Sequence, residues 1–381
     1  MVDLFVETST VAKLYRAIED RSDDSPRSHL GASVIGRPCA RELWYSFRWS
    51  EESDFTGRLL RLFRRGHNEE GPLVEDLRNA GVTVLDADPR TGKQFNFSVL
   101  GGHVGGSMDG AGQGFVESDK WHLLEFKTAN DKSFKQIAKQ GVEKAKPEHF
   151  AQMQLYMHWS GNNKETRLER AMYIVVNKND DSIYMERLKY DSSVARNYEE
   201  RAKSVVDSPE PLERISNDPS WYQCKFCPAA NICHQKKLPV VSCRTCTHAT
   251  PEPDGDGRWS CSKLSKDLTV EEQRAGCDEH VYIPALVTTA EYAGGNEAEN
   301  YAEYKLPDGR IFRNGGTDKN SYRSAELRNL DVSLIGDDTV ATLREEFGAR
   351  VVDSPLVKTR KWLKLDTYPS GQDFYDDEIP F

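Results

Sequence analysis

Asp109-Gly110 ends the stretch GSMDG, and Glu125 and Lys127 follow 16 and 18 residues after Asp109 in LLEFKTAN. One carboxylate at a strand end and a second on the adjacent strand can bind one or two hard divalent cations. Oxygen ligands that leave waters in place for chemistry suit magnesium best, with manganese as the substitute. Residues two apart on a strand face the same side. Glu125 and Lys127 therefore point together, and Phe126 points into the core. A metal held there polarises a phosphate and lowers the pKa of a bound water. Lys127 can hold the attacking water or neutralise charge building on the phosphate. This is the chemistry of a metal-dependent phosphodiesterase.

Two further groups fit the same chemistry. Arg65-Gly66-His67, with Glu70 three residues on, lies in a helical stretch ahead of the strands. His67 offers a ring nitrogen to a metal; the plain alternative is a surface histidine. Gln152 and Tyr156 are four apart in HFAQMQLYM, so they share a helix face. They can contact a phosphate or the attacking water, although the pattern alone is that of an ordinary amphipathic helix.

The eight cysteines sort into two sets of four. Cys39 stands alone near the N-terminus, and Cys224, Cys227 and Cys233 follow as C-x2-C-x5-C. Cys243, Cys246, Cys261 and Cys277 form C-x2-C-x14-C-x15-C. A rival partition takes Cys224, Cys227, Cys243 and Cys246 as a zinc ribbon, but it strands the other four. The two-site partition uses all eight and is preferred. The second set reads as a tetrahedral zinc site, with His280 able to replace Cys277. Its bland role is a staple for a small domain, and its functional role is contact with DNA or protein.

The elements that must position these residues can be read in outline. TSTVAKLYRAIED (8–20) and the stretch 38–49 read as helices, the second with Pro38 at its start. DFTGRLLRLFRRGHNEE is a further helix, with Pro72 marking a break or restart. VTVLD, FNFSV, HVGGSMDG, WHLLEFKT, AMYIVV and SIYMERLKY read as strands. The stretch 134–159 reads as a helix, as does 191–207. Strands interrupted by helices indicate an α/β core. Five stretches follow: a helical lead (1–29), the α/β core (30–238), a Cys-rich module (239–285), a small C-terminal region (286–365) with a hairpin at YAEYKLPDGRIFRNGG, and an acidic tail (366–381).

The ordered series Cys39, His67, Asp109, Glu125-x-Lys127, Gln152-x3-Tyr156 and Cys224-x2-Cys227-x5-Cys233 resembles the iron–sulfur branch of the RecB-type PD-(D/E)XK nucleases. That branch includes CRISPR-associated iron–sulfur exonucleases, AddB-type nuclease domains and related phage exonucleases. The resemblance covers roughly residues 30–238. It implies a restriction-endonuclease-like core with an iron–sulfur clasp, and a metal-dependent DNA exonuclease of recombination, repair or phage replication. By the same resemblance His67, Asp109 and Glu125 bind the metal, Lys127 is catalytic, and Gln152 and Tyr156 fill the family's Gln-x3-Tyr motif. Cys39, Cys224, Cys227 and Cys233 would hold a 4Fe-4S cluster with a structural role. One departure is that Met108, not proline, precedes Asp109.

The chain ends GQDFYDDEIPF. Asp376, Asp377 and Glu378 followed by Ile379, Pro380 and Phe381 resemble the tip of bacterial single-stranded-DNA-binding proteins. The resemblance implies docking onto proteins that read that tip, with Phe381 and its carboxylate in a pocket and the acids steering association. An alternative function follows: a non-catalytic DNA-binding adaptor that recruits or blocks repair proteins through its tail. Intact Asp109, Glu125 and Lys127 favour the enzyme.

The formal net charge of -10 is unusual for a nucleic-acid protein, but local patches decide binding. Arg58, Arg61, Arg64 and Arg65, and Lys132, Lys135, Lys139, Lys144 and Lys146, are the local basic candidates. No apolar run approaches a membrane span, and the N-terminal stretch lacks the pattern of a secretory signal. Eight cysteines without that signal argue for metal ligands in a reducing cytosol, of a bacterium or an infected host cell.

Overall fold

The structure is a computed structural model, and it describes residues 9–22, 25–51, 55–162, 167–234 and 236–347. The acidic tail with Asp376, Asp377, Glu378, Ile379, Pro380 and Phe381 lies outside the described residues, as does the end of the 286–365 region. The chain is a mixed α/β protein in two compact units that interleave in sequence. The described residues of the first unit lie within 9–38 and 55–204. Those of the second lie within 39–51 and 205–347. Both units draw on the stretch 30–238. No helix among the described residues is long and apolar enough to cross a membrane.

The first unit is organised by helix α1 (Gly57–Asn79) and a five-stranded sheet. Its strands are β1 (Thr83–Leu85), β2 (Gly110–Gln113), β3 (His122–Ala129), β4 (Arg170–Asn177) and β5 (Ile183–Lys189), in that spatial order. Neighbours pair antiparallel except β3 and β4, which are parallel with Glu125 opposite Tyr173. A parallel pair needs a crossover. Helices α2 (Asp131–Gln140) and α3 (Pro147–Ser160) supply it.

Two expectations about these helices change. Pro72 does not break α1, which runs through it as one helix of 23 residues. An interior proline costs about 3 kcal/mol. Burial of Leu73 and Val74 against Val84, Phe126, Met172 and Ile174 opposes that cost. Conversely, the single helix read over 134–159 is two longer helices with a short one, Val142–Ala145, between them. Gly141 sits at φ 76°, a left-handed conformation that ends α2, and Pro147 starts α3 afresh.

In the second unit, helix Ala40–Phe47 buries Leu43, Trp44, Tyr45 and Phe47. Trp44 Nε1 donates to the Ser208 carbonyl at 2.9 Å, and Arg41 donates to the Leu212 carbonyl at 2.7 Å. The guanidinium of Arg244 lies 3.6 Å from the Trp49 ring centroid and 4.5 Å from that of Trp259. It also donates to the Phe47 carbonyl and to Gln273. These bonds tie the 39–51 segment to the Cys-rich stretch. The hairpin expected near 301–316 is present, Tyr301–Lys305 against Ile311–Gly315. It packs Tyr304 and Phe312 onto Tyr282 and Tyr322 in a core of its own.

Candidate functional site

The first-unit candidates come from α1, α3 and the β2–β3 pair. Asp109 stands immediately before β2, and its Oδ2 accepts the backbone N–H of Phe126 at 2.7 Å. That bond fixes a carboxylate beside the strand that carries Glu125 and Lys127. The next residue must be small: a Cβ on Gly110 would lie 2.7 Å from the Leu85 carbonyl oxygen of β1. Glu125 is fully buried, and its Oε1 meets Lys127 Nζ at 2.6 Å. The ion pair shows that the two side chains share a face of β3, while Phe126 joins the core on the other. Glu125 Oε2 is buried with no hydrogen-bond partner.

Burial penalises the ionised form of every carboxyl here. Burial pushes the Glu125 carboxyl up to about 8, with Asp109 adding repulsion and Lys127 opposing. Burial also raises Asp109, against the pull of Lys127, the Phe126 N–H and His67. Glu70 is raised by burial and by Asp109, and His67 opposes. Burial works against the Lys127 ammonium, yet Glu125 and Asp109 outweigh it and hold its pKa above the usual lysine range. Glu70, Asp109, Glu125 and Lys127 therefore form one electrostatic neighbourhood, with His67 beside Glu70 and Asp109.

Gln152 and Tyr156 join the same neighbourhood. Gln152 Nε2 lies 3.4 Å from the Tyr156 hydroxyl, whose pKa is raised by burial and then by Glu125. Tyr156 stacks on Phe97, ring centroids 5.3 Å apart. A Cβ on Gly106 would collide with its hydroxyl. Gln152 Oε1 is buried without a hydrogen-bond partner.

A cleft opens over this region, lined among others by His67, Glu70, Lys127, Thr128, Lys146 and His149. Glu125 is not among its lining residues. Two of the groups facing the cleft or its wall carry little sequence signal. His149 Nδ1 lies 2.9 Å from the hydroxyl of Tyr173, the residue paired with Glu125. Burial, and then the charges of Lys127 and Lys146, hold His149 well below the usual histidine range, so it works as a neutral ring. Its signal is the spacing 149–152–156, which is one helix face. For Glu70 the signal is its place one turn after His67.

In the second unit Cys39, Cys224, Cys227 and Cys233 line one cavity, with Arg41, Glu42, Tyr45 and Arg214. Arg214 Nε lies 3.3 Å from Cys233 Sγ. Burial raises the Cys224 and Cys227 thiols, and Cys39 adds to both. Cys243, Cys246, Cys261 and Cys277 are electrostatic neighbours too. Burial pushes Cys243 up to about 12 with the other three contributing, and Cys246 up to about 11. His280 is not left open to replace Cys277. Its Nδ1 lies 2.7 Å from Ser324 Oγ, and its Nε2 3.0 Å from the Ser242 carbonyl oxygen. All eight cysteines are free thiols. Among the described residues no group of three or more His, Cys, Asp or Glu side chains stands where it could hold a metal ion. A bound metal would have to draw each set together.

Comparison with known proteins adds little to this geometry. No protein-family profile and no curated protein matches the chain. Among solved structures, it is similar to the alkaline exonuclease LHK-Exo in complex with dAMP, at 17% identity and a TM-score of 0.34. That match covers 51% of this chain and 90% of the other. A further structure of LHK-Exo, from Laribacter hongkongensis, matches at 16% identity over the same shares, also with a TM-score of 0.34. The structure of SSO0001 matches at 14% identity and 0.34, covering 60% of this chain and 97% of that one. Scores this low do not decide a function.

Proposed function

We propose that this chain is a metal-dependent DNA nuclease, acting from DNA ends as an exonuclease. The observation that carries the proposal is the carboxylate pair Asp109 and Glu125, with Lys127 in ion pair. Burial raises both carboxyls, and a buried oxygen of Glu125 has no hydrogen-bond partner, so the pair lacks a counter-charge sufficient to favour its ionised form. The chemistry of this donor set suits a divalent cation, which would draw Asp109, Glu125 and His67 together. Bound magnesium or manganese would supply a low-pKa water and polarise the scissile phosphate. Lys127 orients that water and offsets charge on the phosphate. Gln152 and Tyr156, on α3, would contact the phosphate or the attacking water; their support is the charge of Glu125 felt at the Tyr156 hydroxyl and the unpartnered Gln152 Oε1. The test is degradation of end-labelled linear DNA, single- and double-stranded, with magnesium or manganese, against the same DNA circularised. Loss of linear DNA with circles intact supports the proposal; no cleavage of either refutes it.

The raised carboxyls set a pH dependence. Below about 8 Glu125 retains a proton that a metal must displace. Metal affinity therefore rises with pH and levels off above about 8, and binding releases a proton. We expect manganese to bind at least about tenfold more weakly at pH 6.5 than at pH 8.5. Calorimetry in buffers of different ionisation enthalpy reads both the affinity and the proton. Without metal the sign reverses. A carboxyl raised on folding destabilises the protein above its unfolded pKa, so metal-free stability falls as pH rises from about 4.5 to about 8.

The two cysteine sets enter the same proposal. Cys39, Cys224, Cys227 and Cys233 would hold a 4Fe-4S cluster as a structural clasp, supported by the cavity that they share. Cys243, Cys246, Cys261 and Cys277 would hold zinc. For the tail the support is sequence alone: Ile379-Pro380-Phe381 after three acids would dock on proteins that bind the tip of single-stranded-DNA-binding proteins. Deleting those three residues should abolish such binding in a peptide-competition assay and spare cleavage of naked DNA. Faster cleavage by the truncated protein, with no tip-dependent binding by the full chain, would instead mark the tail as autoinhibitory.

A further inference from the structure

We propose that Trp221, Tyr222 and Phe226 form a stacking platform for the bases of single-stranded DNA, with Lys225 beside it for the backbone. The three rings are 45%, 56% and 52% exposed, within six residues of chain. Large apolar side chains gathered in the open mark a binding surface more often than an accident of packing. Trp221 and Tyr222 have centroids 5.0 Å apart and planes at 53°, so they are splayed rather than stacked on each other. Phe226 lies one helical turn beyond Tyr222.

The platform is built on held backbone. The Trp221 N–H donates to the Asp218 carbonyl at 3.2 Å, and the Lys225 N–H to the Trp221 carbonyl at 2.8 Å. Ser220 donates twice to the Asp218 carboxylate, at 2.8 and 2.7 Å. Cys224, buried between the exposed rings, anchors the turn from inside. Rings fixed before binding lose little entropy on meeting a base.

Charge selects the partner. Over 213–237 four basic residues, Arg214, Lys225, Lys236 and Lys237, face two acids, Glu213 and Asp218, in a chain whose net charge is -10. All four basic side chains are exposed, and Lys225 Nζ lies 5.5 Å from the Phe226 centroid. Protein interfaces are enriched in aromatic residues but depleted in lysine. Aromatic rings interleaved with lysine suit a single strand, because only unpaired bases offer both faces for stacking.

The substrate class rests on the nuclease reading, and the test separates the two. Full-length protein in EDTA, which prevents cleavage, is titrated with labelled oligo(dT) and with a labelled duplex. Wild type should bind oligo(dT) with quenching of tryptophan fluorescence. Trp221→Ala, Tyr222→Ala and Phe226→Ala should each weaken that binding about tenfold. Trp221→Phe should restore most of it, and duplex binding should change little. Wild-type melting temperatures are expected, since the side chains are exposed. Failure of wild type to bind oligo(dT), unchanged affinity in the triple variant, or an equal loss on duplex would each overturn the platform. Cleavage assayed separately with magnesium judges the nuclease reading. An inactive protein whose oligo(dT) binding depends on the rings sinks that reading alone.

Discussion

Glu125→Gln removes cleavage of end-labelled DNA by about a thousandfold or more and leaves the fold as stable as wild type or more so. Both halves follow from one observation. Glu125 is fully buried, and its carboxyl is raised to about 8 because its charge is not repaid by its surroundings. Glutamine keeps the shape and a carbonyl that can accept from Lys127, and Asp109 remains to oppose the Lys127 ammonium, so the folded state loses a buried charge without orphaning its partner. The same change deletes a metal-binding oxygen, and with it the water activation that metal catalysis depends on. Lys127→Ala should cost as much activity but behave differently in stability. It leaves Glu125 buried without its 2.6 Å partner, so the metal-free protein should melt lower, most visibly above pH 8. Parallel measurements of cleavage, of DNA binding in EDTA and of melting temperature separate these effects. Retained cleavage in Glu125→Gln would overturn the assignment.

Anaerobically purified protein is expected to be brown, with broad absorbance near ~400 nm. Cys39→Ser should remove the colour, the iron and the sulfide. The chain leaves the second unit at 52 and returns at 205, so a cluster that holds Cys39 with Cys224, Cys227 and Cys233 closes a very long loop. Closing such a loop restricts the unfolded chain strongly, and a lower melting temperature should accompany the loss of iron. Cys261→Ser and Cys243→Ser should remove zinc and keep the iron. This pairing also tests the partition of the eight thiols. In a zinc ribbon of Cys224, Cys227, Cys243 and Cys246, Cys39→Ser would change no metal content. Zinc alone in the anaerobic wild type, with no iron or sulfide, would refute the cluster.

Much of the first-unit site was legible in the sequence because it depends on short-range geometry. Strand alternation places Glu125 and Lys127 on one face and Phe126 on the other. Helical spacing places Gln152 beside Tyr156. Both relations are properties of the backbone repeat and need no knowledge of the fold. The sorting of cysteines into two sets likewise came from spacing; Cys39, Cys224, Cys227 and Cys233 line one cavity, and Cys246, Cys261 and Cys277 act on Cys243. Helix limits were less legible where opposing preferences compete. Pro72 argues for a break, and only the apolar surface under Leu73 and Val74 reverses it. Gly141 and Pro147 argue for breaks within a pattern whose apolar period runs on, and there the backbone preference prevails.

Long-range pairing is what only the tertiary structure decided. The sequence contains Tyr173 and His149 as unremarkable residues on a strand and a helix. Parallel pairing of β3 with β4 sets Tyr173 opposite Glu125, and the crossover helix α3 then brings His149 to within 2.9 Å of its hydroxyl. The bond from the Phe126 N–H to Asp109, residues 17 apart, exists only once β2 and β3 are paired. The raised carboxyl pKa values belong to the same class, because they come from burial and from charges that folding gathers. By itself the sequence determined residue types and their local spacing, through the periods of helix and strand. Which distant groups share a dielectric and a cleft depends on strand register and crossover, and those are settled by packing the whole core at once.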